Sequence, residues 1–197
     1  GRSGSGDFHD VQVWSLDSSA LVATVCDGCQ GSKVWSLSQD HRYLFYAQGA
    51  QSAVWDLDTG SDRRIDRRPG TITAAAFPHG TDPGLIMIGE SDGTARWWPI
   101  ASDDAPDEEG RGPWVPFTGR AIEGIVFAGS HIEGVTESSD PFFAVREGVE
   151  RDRVRLFPTG GWTPAGSRGN WSAHYATLVG HEGAIEDFRF LANGRLL

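Results

Sequence analysis

Cysteine, positive charge and long apolar runs are scarce in this 197-residue sequence. Its two cysteines, Cys26 and Cys29, are too few for a disulfide scaffold and fit a reducing compartment, so a cytoplasmic location is expected. No stretch reaches the ~18 consecutive apolar residues of a membrane-spanning helix. No apolar segment follows the opening Gly-Arg-Ser-Gly-Ser-Gly, so no signal peptide is expected. Seventeen Lys and Arg stand against 27 Asp and Glu, a formal net charge of −10. That balance disfavours nucleic acid and anionic membrane surfaces, both of which need a cationic face, so neither is expected as a partner. A helical period is missing too. No stretch longer than about eight residues repeats its apolar positions at 3.6, and helix should be nearly absent.

What is abundant is aromatic and turn-forming. Eight Trp and ten Phe make the chain too apolar for disorder, and 26 Gly with ten Pro supply the turns that many short strands need. Four segments share an alternating apolar pattern that ends on an aromatic: 10–16, 51–57, 93–100 and 152–158, with Trp14, Trp55, Trp98 and Phe157 as the aromatics. Side chains two apart lie on one face of a strand, so each segment reads as a strand. A second pattern precedes the later ones: Ile72-x-x-Ala75-x-Phe77, Ile122-x-x-Ile125-x-Phe127 and Ile185-x-x-Phe188-x-Phe190, with a weaker Val34-x-x-Leu37. Between the two patterns lie the apolar runs 43–47, 85–88 and 142–145. After each aromatic come a turn and a last run, at 20–25, 63–67, 114–117 and 175–179. The unit is therefore four short strands, recurring every ~40–60 residues. One such unit cannot bury both of its faces alone; stacked units can.

These residues resemble a WD-repeat β-propeller. The matching features are Trp55-Asp56 with Leu-Asp-Thr-Gly around the following turn, Ser91-Asp92-Gly93-Thr94 ahead of Trp98, and Gly180-His181 opening the last unit. Ser-Gln-Asp-His-Arg-Tyr-Leu at 38–44 and Leu-Ala-Asn-Gly-Arg-Leu-Leu at 191–197 match the turns between the first and second strands. The likeness covers nearly the whole chain. It implies an all-β fold of four-stranded antiparallel blades, with about four blades represented. The blade pieces are expected at 7–25 (third and fourth strands), 30–67, 70–118 and 120–179 (complete), and 181–197 (the start of another). By the same resemblance, Trp14, Trp55 and Trp98 are packing residues between blades. The family holds this Trp through Ser/Thr, His and Asp. Ser91 and Asp92 are present, but Arg68 or a neighbour stands where the His belongs in that unit and Arg120 in the next, and only His181 matches. The chain is thus a degenerate member.

Little in the sequence carries chemistry. Cys26-Asp-Gly-Cys29 has the spacing of half a zinc site, with no second pair to complete four ligands; it reads as a turn between blades. No Gly-x-Ser-x-Gly turn occurs, and Gly4-Ser5-Gly6 leads into a strand, not a helix. No catalytic residue, metal or cofactor is expected. Arg63, Arg64, Arg67 and Arg68 crowd an outer strand, where charge blocks edge-to-edge pairing.

The resemblance implies a non-enzymatic scaffold or sensor region that binds other proteins or other domains of the same polypeptide. In bacteria such regions often follow a regulatory NTPase, kinase or protease domain, and the chain is expected to be part of a longer bacterial protein. Self-association that completes the propeller is an alternative. A ligand-sensing or catalytic propeller with a site at its central channel is the competing function. Three insertions depart from the repeat length, at 101–113, 129–140 and 158–173. The first carries Asp103, Asp104, Asp107, Glu108 and Glu109, the second Glu133, Glu137 and Asp140, and the third Trp162 and Trp171. Loops longer than ~12 residues are uncommon without a role, and Trp is enriched at binding hot spots. Trp162, Trp171 and the acidic rim are therefore the candidate partner surface.

Overall fold

The computed structural model describes residues 9–29, 33–48, 51–65, 71–78, 84–100, 115–116, 120–127, 142–147, 153–158, 176–178, 185 and 188–189. All regular structure among them is strand. The strands are β1 (His9–Ser15), β2 (Ala20–Cys29), β3 (Lys33–Leu37), β4 (Tyr43–Gln48), β5 (Gln51–Asp56), β6 (Ser61–Arg64), β7 (Ile72–Ala76), β8 (Leu85–Glu90), β9 (Thr94–Pro99), β10 (Val115–Pro116), β11 (Ile122–Phe127), β12 (Phe142–Glu147), β13 (Arg153–Pro158) and β14 (Ala176–Leu178). They form antiparallel meanders in chain order. The first sheet is β1-β2; the second, third and fourth each have four strands, β3 to β6, β7 to β10 and β11 to β14. This is the architecture of β-propeller blades. The chain divides into two compact units, 1–68 and 69–197.

Turn chemistry sets the strand ends. Between β5 and β6, Asp56 opens the turn and Gly60 closes it at φ +69°, its N–H donating to the Asp56 carbonyl at 2.9 Å. Between β8 and β9, Gly93 takes φ +85°, and Asp92 Oδ1 accepts from the Thr94 N–H and hydroxyl at 2.9 and 2.7 Å. Glycine adopts this left-handed backbone without a Cβ clash, and the short Asx side chain replaces missing backbone partners. Ser19 (φ 52°) and His41 (φ 60°) occupy such positions without being glycine.

Two local expectations are corrected. Cys26–Cys29 is not a turn: it is the end of β2, and Cys26 and Cys29 stand opposite Val11 and His9. Between these pairs one residue of β1, Asp10, stands against two of β2, Asp27 and Gly28, so a bulge absorbs the Asp-Gly. The strand expected at 63–67 runs at 61–64 instead. The glycine turn, not the charge-rich sequence after it, decides where β6 begins.

In the second unit, the third and fourth sheets pack face to face. Ala74, Ala76, Met87, Ala95 and Trp97 meet Ile122, Ile125, Phe127 and Val145 in one buried core. Small residues on the third sheet let the fourth come close: a Cβ on Gly89 would lie 2.5 Å from Ile122 Cγ2. The Thr73 hydroxyl donates to the Ile122 carbonyl, tying β7 to β11. The far face of the fourth sheet is capped by Ile185 and Phe188, which pack on Ala144, Val154, Val126 and Leu156. Each large apolar side chain buried this way contributes about 1.5–3 kcal/mol. In the first unit, Val25 of β2 packs on Tyr46 and Ala53 of the second sheet.

Candidate functional site

The aromatic positions singled out by the sequence have unlike surroundings. Trp98 is 8% exposed and stands opposite Ile86, on the third sheet's face away from the fourth. Its neighbour Trp97 points the other way, into the shared core, with its ring centroid 5.4 Å from that of Phe127. Trp55 is half-buried opposite Leu44. Trp14 departs from the expected packing role: it is 54% exposed, opposite Leu21, which is also exposed. It lies in a sheet of two strands. Trp35 on β3 is 66% exposed as well. Phe157 lies in β13, opposite Phe143.

The acidic residues of the repeat signature serve turns. Asp56 accepts from Arg42 Nη2 at 2.9 Å and from the N–H groups of Asp58 and Thr59 at 3.0 and 3.3 Å. The Arg42 hydrogen bond is the main cause that holds its carboxyl below the usual range, against a smaller opposing effect of burial. Asp40 accepts from the Ser38 hydroxyl and the Arg42 N–H, and its pKa is lowered by those bonds, Ser38 foremost. Ser91 and Asp92 are exposed at the β8–β9 turn. Together their hydrogen bonds tie the corners between neighbouring strands. His181, Asp103, Asp104, Asp107, Glu108, Glu109, Trp162, Trp171 and Arg68 lie outside the described residues, as do the three insertions apart from Pro158. Arg120 is exposed, and its backbone lies so close to Gly93 that a Cβ there would be 2.6 Å from the Arg120 carbonyl oxygen.

Charged residues inside the sheets went unnoticed in the sequence. Glu90, fully buried, pairs with Arg96 at 3.2 Å, and Glu147, 1% exposed, pairs with Arg155 at 3.2 Å. Arg146 donates to the carbonyls of Ile185 and Glu123 at 2.7 and 2.9 Å and stands over the Phe188 ring, so it pins the capping segment to the fourth sheet. The signal was available: aligning Leu-Ile-Met-Ile-Gly-Glu with Phe-Phe-Ala-Val-Arg-Glu, and Thr-Ala-Arg with Arg-Val-Arg, superposes both pairs. Among the described residues no group of three or more His, Cys, Asp or Glu is placed to hold a metal ion.

No protein-family model matches the sequence, and no curated protein matches it. The fold does have solved counterparts. A chain in the crystal structure of a mitotic checkpoint complex superposes with a TM-score of 0.55 at 10% identity, over 82% of this chain and 40% of that one. This chain therefore spans well under half the length of that neighbour. In all, 605 solved chains match, so the fold is widely shared and carries no single activity with it.

Proposed function

We propose that this chain is a non-enzymatic protein-interaction scaffold, a degenerate WD-repeat region of a larger, cytoplasmic, bacterial regulatory protein. Its two units are read as parts of a single propeller, and its partners as other proteins or other domains of the same polypeptide. The observation that carries the reading is the fold itself: four-stranded antiparallel sheets in which the Asp40, Asp56 and Asp92 carboxylates hold turns. Such a body is rigid, and it leaves binding to its loops and rims. The solved neighbour belongs to a multi-protein assembly, which supports a role of this kind. Trp162 and Trp171 supply the anchors, and the carboxylates from Asp103 to Glu109 steer the encounter, as aromatic anchors and rim charges do elsewhere.

The test is affinity capture with the full chain, followed by calorimetric titration of the captured protein. Replacing Trp162 and Trp171 together by Ala should weaken binding at least ~100-fold, the loss of two hot-spot side chains. The β-sheet circular dichroism should stay unchanged. Undiminished binding would remove these residues from the surface. A chain that captures no protein but turns over a small molecule would remove the scaffold reading.

A further inference from the structure

The third and fourth sheets each carry a glycine at one equivalent place, but on different strands. Ala74 of β7 stands opposite Gly89 of β8, and Gly124 of β11 stands opposite Arg146 of β12; each pair follows an irregularity in the ladder, after Ile72 and after Ile122. Neither glycine has the left-handed backbone of Gly60 and Gly93, so conformation does not call for it. Glycine weakens a strand interior, and there it marks a close approach. A Cβ on Gly89 would lie 2.5 Å from Ile122 Cγ2 and 3.3 Å from Ile125 Cδ1. A Cβ on Gly124 would lie 2.7 Å from Phe188 Cε1. The polar tether changes strand as well. The Ile122 carbonyl accepts from the Thr73 hydroxyl on β7, whereas the Ile185 carbonyl accepts from Arg146 Nη1 on β12 at 2.7 Å. Arg146 is braced by the Glu123 carbonyl, which accepts from its Nη2 at 2.9 Å, and its guanidinium carbon lies 5.8 Å from the centre of the Phe188 ring.

Each sheet thus receives a segment whose anchors are three residues apart: Ile122 and Ile125 on the third, Ile185 and Phe188 on the fourth. The carbonyl of the first anchor is tied in both. The space is opened chiefly for the first anchor over Gly89 and for the second over Gly124. Attraction between apolar faces is non-directional, so selectivity has to come from close packing. We propose that these cross-strand pairs are selective sockets: Gly124–Arg146 takes an Ile-x-x-Phe segment, seen here as 185–188, and Ala74–Gly89 takes Ile-x-x-Ile. Ala74 already carries the Cβ that Gly124 lacks, so a phenylalanine ring seated as Phe188 is would strike it. In the fourth sheet, Arg146 fills the place that Gly89 leaves open for Ile122, and its fork reads a main-chain carbonyl and the ring together. The segment at 185–188 therefore fits the fourth sheet and not the third.

The test is a double-mutant cycle in the full chain. Gly124→Ala should lower the melting midpoint by roughly 5 °C, because the new methyl overpacks the ring. Phe188→Ile, which leaves the ring's space empty, should lower it too. With Phe188→Ile in place, Gly124→Ala should change sign and raise the midpoint by roughly 2 °C, since alanine fills the gap and restricts the unfolded chain. Gly89→Ala is the control: it should destabilise equally with and without Phe188→Ile. A separate variant reads the tether. Arg146→Lys keeps the charge and loses the fork, and it should quicken amide exchange at Phe188 and Arg189 at least ~10-fold while β7 and β8 exchange as before. The proposal is overturned if Gly124→Ala is harmless in the wild-type background, or if its cost is the same in both backgrounds. It is overturned equally if Phe188→Ile also rescues Gly89→Ala, or if Arg146→Lys leaves exchange at Phe188 and Arg189 unchanged.

Discussion

At the residue scale, two turns hold side chains where the backbone favours glycine. His41 lies at φ 60° in the β3–β4 turn, exposed, between Asp40 and Arg42. The left-handed conformation costs a Cβ-bearing residue about 1–2 kcal/mol, and glycine returns part of that as lost chain entropy. His41→Gly should therefore raise stability by up to about 1 kcal/mol, seen as a melting midpoint roughly 2–4 °C higher. Gly93→Ala should do the reverse and cost more than about 1 kcal/mol, because φ is +85° and the new methyl would strike the Arg120 backbone. Asp56 titrates below the ordinary carboxylate value because Arg42 and two N–H groups bind its charged form. A depressed folded-state pKa means that this turn's contribution is complete above the ordinary carboxylate range and is lost as pH falls through the lower value. Arg42→Gln should move the Asp56 midpoint upward in a carboxyl NMR titration.

At the element scale, Trp97 and Trp98 are neighbours in β9 that serve opposite faces of one sheet. Trp98→Ala and Trp97→Ala should each cost about 3–5 kcal/mol, the usual loss for a buried tryptophan, measured by denaturant unfolding. A melting curve left in place by Trp98→Ala would mean that the repeat alignment is wrong. Strands were legible in the sequence wherever a short apolar segment is bounded by turn residues: β4, β8, β9 and β12 all lie on such segments, and β4, β8 and β9 read as near-continuous apolar runs because both of their faces are buried. β6 was displaced because Ser-Asp-Arg-Arg has no apolar alternation to mark it. The Cys26–Cys29 strand was hidden because its pairing depends on a bulge against His9–Val11, a partner well separated in sequence. The exposure of Trp14 was illegible for a related reason: an aromatic at a packing position is buried only if a second sheet lies over it. The Glu–Arg pairs escaped because an isolated charge in a strand reads as solvent-facing until its repeat is seen.

At the scale of the molecule, burial is uneven. Ile86, Met87, Ile88, Ile122, Ala144 and Val145 are fully buried in the second unit, while Trp14, Leu21 and Val22 of the first sheet and Leu16 in its turn are exposed. Amide exchange should follow this division, slowest in β8, β11 and β12 and fastest in β1 and β2. Equal protection of the first and fourth sheets would contradict it.

Each sheet is built from one unbroken stretch of chain, with its strands hydrogen-bonded in the order in which they occur. On a ribosome, this lets every strand find its partner as soon as it emerges, without waiting for sequence still to be made. The third sheet can thus be complete before β11 is translated, and the fourth then grows against a finished surface. Synonymous changes that slow translation between β10 and β11 should leave the yield of folded protein unchanged, whereas a circular permutation that opens the chain within β8 should lower it.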